Sequence, residues 1–118
     1  MSLTTEYPFR LPKGYLDREG RLHRDGTMRL ATARDELEPQ RDPRVKDNES
    51  YATVILLARV VTSLGTVQHL TTAVIEDLFV SDFAYLQDLY RIINFQDPSV
   101  LEGLEPGTPF PQALLEPV

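Results

Sequence analysis

Apolar residues recur at steps of three and four along the middle of the chain. Tyr51, Val54, Ala58, Val61 and Leu64 form one stripe, widened by Ile55 and Leu57. That is the period of a helix with one broad apolar face. Asn48 stands before the stripe as a cap and Gly65 follows it as a stop, so the pattern predicts a main helix over residues 49–64. A second stripe, Phe83, Leu86, Leu89, Tyr90 and Ile93, predicts a helix over 82–94, capped by Ser81 or Asp82 and ended by Asn94. Between them Thr71 caps a short helix holding Val74, Ile75, Leu78 and Phe79. The two longer helices are expected to pack together, with 72–79 closing one end. Upstream, Thr32 with Asp35 three residues on opens a short helix that stops near Glu38 before Pro39. Asp42-Pro43 gives a second start signal, good for about one turn through Val45.

From Tyr7 to Leu30 the period shortens to two. Phe9 and Leu11 alternate with Arg10 and Pro12, as in a half-buried strand. Asp17-Arg18-Glu19-Gly20 reads as a tight turn and Asp25-Gly26 as another, leaving short strands over 21–23 and 28–30. Pro8 and Pro12 cannot donate to a ladder, which places the first strand at an edge or in an extended arm. An isolated hairpin is marginal, so it should dock on the helices or on a neighbouring subunit. The expected fold is therefore α+β, mainly α. A strand or hairpin region (1–30) leads into a bundle of short helices (31–95). Residues 96–118 carry five of the nine prolines, four acids and no base, and predict an extended or disordered tail. Within it the island from Pro109 to Leu115 offers Phe110 and Leu114, which either fold back or enter a partner's groove.

Composition narrows the function more than it identifies it. At 118 residues the chain holds one domain of modest core. There is no cysteine, so disulfides and thiolate metal sites are excluded. The longest apolar run, Val54 to Ala58, ends at Arg59, far short of the ~20 residues of a bilayer span. With no basic-then-apolar leader in MSLTTEYPFR, the expectation is a soluble, cytoplasmic protein that does not bind membranes. Residues 1–46 hold ten of the twelve Lys and Arg against eight acids, whereas the rest holds only Arg59 and Arg91 against ten acids. Such asymmetry can orient the protein on a partner or pair it head to tail with itself. Arg18, Arg21, His23 and Arg24 form a basic patch on the hairpin, but overall acidity argues against nucleic acid.

Chemistry is sparse. His23 and His69 lie apart, and no HExxH, P-loop or GxGxxG is present. The adjacent acids Asp35-Glu36 and Glu76-Asp77 point about 100° apart on a helix and would not share a substrate. No catalytic, cofactor-binding or metal site is assigned, and no cofactor is expected. Arg59, inside LLARVV, is expected to pair with Glu76 or Asp82.

The strings MRLATARDELEP, DPRV, YATVILLARVVTSLG, VIEDLF and DFAYLQDLYRIIN, in this order, resemble small proteins of prophage and contractile-tail clusters, in the style of the Mu-like phage tail assembly chaperone family. FRLPKGYLDREGRLHRDG is similar to that group's strand-rich front. The resemblance covers residues 9–94 and leaves the tail outside. It implies a non-enzymatic protein that binds other tail proteins, the tape-measure protein above all, during contractile tail assembly. The alternatives are a structural subunit retained in a phage-derived contractile injection particle, and a small regulatory or nucleic-acid-binding protein. Expected partner-binding residues are Tyr51, Val54, Ala58, Val61, Phe79, Tyr90, Phe110 and Leu114, and a homo-oligomer is a further possibility.

Overall fold

The computed structural model describes residues 3–104 and residue 110. Strands β1 (Glu6–Leu16) and β2 (Leu22–Arg29) form a long antiparallel hairpin. Helix α1 (Ala33–Leu37), a 3-10 turn (Glu38–Arg41) and α2 (Pro43–Asp47) lead to α3 (Tyr51–Val60), which runs directly into strand β3 (Val61–Leu64). Helices α4 (Thr72–Glu76) and α5 (Val80–Phe95) follow, then a 3-10 turn at Pro98–Leu101. The sheet order is β1-β2-β3, all antiparallel, so the fold is α+β with an N-terminal hairpin.

Two departures from the expected elements have clear causes. The Asp17–Gly20 turn is present, closed by the Asp17 amide on the Arg21 carbonyl at 2.9 Å. Asp25-Gly26, in contrast, is no turn. It lies in mid-β2, where Gly26 faces Phe9 on one side and Leu64 on the other. A β-carbon there would strike the Ser63 carbonyl and the Phe9 ring, so this glycine serves close approach between strands. The main helix also stops four residues early, because the free edge of β2 takes Val61–Leu64 as a third strand. Met28 pairs with Val61 but Thr27 pairs with Ser63, leaving Thr62 as the extra residue of a bulge. The bulge turns both Val61 and Leu64 into the core at a spacing of three, which imitates a helix in the sequence.

The hairpin docks on the protein's own helices. Phe9, Leu11 and Met28 share one core with Leu57 and Val60 of α3 and with Tyr85, Leu86, Leu89 and Ile93 of α5. β1 is the edge strand that its prolines require. It is broken by a wide bulge: Arg10 pairs with Asp25, and the next pair is Tyr15 with His23. Side chains satisfy the displaced backbone. Arg24 donates to the Leu11 and Pro12 carbonyls at 2.9 and 3.1 Å, and Asp82 accepts from the Lys13 and Gly14 amides at 2.9 Å each. Gly14, at φ +109°, supplies the backbone turn that aims those amides at α5.

Asp82 thus does not cap α5. The helix opens two residues earlier, with Phe79 at its N-cap. α3 likewise opens from Ser50, two residues after the expected Asn48. The start of the tail is ordered where no structure was expected. Asp97 caps the Pro98–Leu101 turn by accepting from the Ser99 amide at 3.0 Å, and Leu101 packs on the core.

Candidate docking groove

Helix α3 is apolar on more sides than the domain covers. Each residue from Tyr51 to Leu56 is only half-buried, and only Leu57 and Val60 are enclosed. Its exposed flank faces α4 and the start of α5 across a groove of about 320 Å³. Tyr51 and Val54 line one wall, and Ile75, Leu78, Val80 and Phe83 the other. Val80 is 84% exposed and Phe79, beside it, 47%. Two large apolar side chains thus stand open to water beside the groove. A second recess of about 350 Å³ lies on the other flank of α3, between Thr53 and Leu56 and the exposed Leu37.

A polar clasp closes one end of the groove. Tyr51 Oη donates to Glu76 Oε2 at 2.8 Å, and Arg44 sits 4.9 Å from the Tyr51 ring centroid. Arg44 is itself held by Asp42 through Nε at 3.0 Å and Nη2 at 2.9 Å. The Arg44 guanidinium holds the Asp42 carboxyl at about 2, aided by the Arg44 amide. Glu76 and Asp77 are exposed, and no Lys or Arg occurs between Val60 and Tyr90. The groove is therefore apolar within; Glu76 lines its rim with Asp77 next in the chain, and the one cation at the clasped end, Arg44, is paired with Asp42.

The expected partner-binding residues do not share one face. Tyr51 and Val54 line the groove, and Phe79 lies beside it. Ala58 is half-buried against the core, and Val61 is buried in β3. Tyr90 is buried as well, its hydroxyl donating to Glu36 Oε1 at 2.7 Å. Burial raises the Tyr90 hydroxyl above its usual range, and Glu36 adds to the effect. Phe110 has folded back to stack on Tyr85, centroids 4.9 Å apart. Leu114 lies outside the described residues. Ile75, Leu78, Val80 and Phe83 complete the groove, although their stripes read in sequence as core.

The charged groups singled out in the sequence are engaged by structural partners. Arg59 pairs with Asp35, at 3.0 Å, in place of Glu76 or Asp82. Asp35, 2% exposed, also takes two bonds from Arg29 at 2.7 and 2.9 Å and one from the Thr32 amide at 2.8 Å. Arg29 holds the Asp35 carboxyl well below the usual carboxylate range, helped by Thr32 and Arg59. His23 is buried. Its Nδ1 accepts from the Thr66 amide at 3.3 Å, which leaves Nε2 to donate to Asp17 Oδ2 at 2.8 Å. With both nitrogens engaged the ring offers no free base. The hairpin's basic patch is divided accordingly: Arg24 and His23 brace the backbone, and Arg18 and Arg21 face solvent. Among the described residues no three His, Asp or Glu side chains are grouped to hold a metal ion, and no helix is long and apolar enough to cross a membrane.

No family model, curated protein or solved structure matches this chain.

Proposed function

We propose that this protein acts by protein–protein docking, receiving an amphipathic helix of a client in the groove between α3, α4 and the start of α5. The observation that carries this is an apolar groove, floored by the buried Leu78 and walled by the half-buried Val54 and Phe83 and the exposed Val80, beside the exposed Phe79. Helix-in-groove recognition needs a preformed channel that accepts apolar anchors spaced one helical turn apart. Here rigid helices supply both walls. The resemblance to Mu-like tail assembly chaperones gives the client its expected identity, a tape-measure protein bound while a contractile tail assembles.

Co-expression with a contractile-tail tape-measure protein tests this. The expected result is a soluble complex in which the backbone amides of 51–56 and 75–83 exchange more slowly than in the free protein. Val80→Asp, a change at a solvent-facing position, should abolish the complex and leave the thermal midpoint within about 2 °C. A complex that survives Val80→Asp, or protection that falls elsewhere, refutes the groove as the docking site.

A further inference from the structure

The groove has a complement on the same molecule. At the tip of the hairpin Leu16 and Leu22 face each other across the strands, 52% and 55% exposed. Residues 13–24 carry four cations, Lys13, Arg18, Arg21 and Arg24, against two acids, Asp17 and Glu19. Asp17 is turned inward onto the Glu19 and Arg21 amides and onto His23. Glu19 pairs with Arg21 at 3.5 Å and Arg24 braces the backbone, so Lys13 and Arg18 leave the outer surface of the tip the more basic. An apolar pair with a basic collar stands against an apolar groove with an acidic rim.

Both surfaces adjoin the first turn of α5. The Lys13 and Gly14 amides bond Asp82, which stands between Val80 and Phe83 of the groove wall. Leu16 lies two residues beyond Gly14, roughly 7 Å further along the strand. The tip cannot turn back into its own groove, because the bulge is pinned to Asp82 and the turn is closed by its own hydrogen bonds. A second copy can offer its tip. When a patch and its complement sit side by side, a two-fold axis between copies makes the same contact twice and closes the assembly.

We infer that the free protein self-associates as a two-fold dimer in which the Leu16–Leu22 tip of each copy fills the α3–α5 groove of the other. The inference rests on the docking reading above and adds its regulation. Self-docking covers the groove until a client displaces the tip, so dimer and client complex exclude one another.

Charge reversal tests it with two full-length variants. Arg18→Glu/Arg21→Glu makes the tip acidic, and Glu76→Lys/Asp77→Lys makes the groove rim basic; all four positions are exposed. Sedimentation velocity over a concentration series should show a monomer–dimer equilibrium for the native chain that weakens with added salt. Each variant alone should dimerise at least tenfold more weakly. An equimolar mixture should regain native association, because each tip then meets a groove of opposite sign. A native chain that stays monomeric at millimolar concentration overturns the inference. So does a dimer indifferent to both variants, or a mixture that fails to regain association. A monomeric chain whose groove amides are still shielded by client would sink self-docking alone and leave the docking reading standing.

Discussion

Asp35 is where one substitution should most clearly expose what joins the sheet to the helices. Its carboxylate binds Arg29 at the end of β2, Arg59 near the end of α3 and the amide that opens α1. Asp35→Asn keeps the shape and removes the charge. Two guanidiniums, 32% and 35% exposed, then face a neutral amide. Breaking a fully buried pair costs about 3–5 kcal/mol, and partial hydration of both arginines lowers this to about 3 kcal/mol. For a domain of this size that is a fall of about 10 °C in Tm. Arg59→Gln should cost less, about 1–2 kcal/mol, since Arg29 keeps both of its bonds to Asp35. The pH dependence has a definite sign. The folded carboxyl titrates below its unfolded value of about 3.9, so its contribution is complete above about pH 5 and is lost as the solution is acidified. Urea unfolding from pH 7 to pH 2 should therefore show a loss of stability in the native protein that is flatter in Asp35→Asn. Asp25→Asn, at the exposed Arg10 pair, serves as control and should cost less than about 1 kcal/mol. If Asp35→Asn costs no more than that control, the charge network does not hold the fold together.

Two further outcomes test the sheet and the bulge. Gly26→Ala should destabilise by about 1–3 kcal/mol by thermal denaturation, because the new methyl meets the Ser63 carbonyl and the Phe9 ring; an unchanged midpoint would show that β2 and β3 are not so closely pressed. Asp82→Ala should orphan the Lys13 and Gly14 amides, costing about 2–4 kcal/mol. Hydrogen exchange should then speed up at those two amides before it does so elsewhere in β1; uniform change across the molecule would argue that the bulge is held by other contacts.

Much of the local structure was legible because it follows from short-range rules. Thr32 with Asp35, Asp42 with Pro43, and Thr71 each open a helix where their chemistry predicts. The Asp17–Gly20 turn and the edge position of β1 follow equally from residue type. Errors arose where a residue's partner is distant in sequence. Arg59 found Asp35, 24 residues away, because α1 and not α4 crosses the end of α3. Asp82 looked like a cap but is claimed by a strand 68 residues earlier.

The groove shows the same division. Residue order is enough to establish that the chain has amphipathic helices, a hairpin with prolines along its edge, no cysteine and an acidic back half, since these depend on composition and period. It could not determine which apolar residues remain open. A stripe records only that a residue avoids water, and Val60, Val61 and Val80 look alike in it. Val60 and Val61 are enclosed because β2 had an edge to fill; Val80 is exposed because β1 packs on the Asp82 side of the first turn of α5 and no described residue covers the Val80 side. Packing settles that, because exposure is fixed by how neighbouring elements block one another in space, and no local period encodes it.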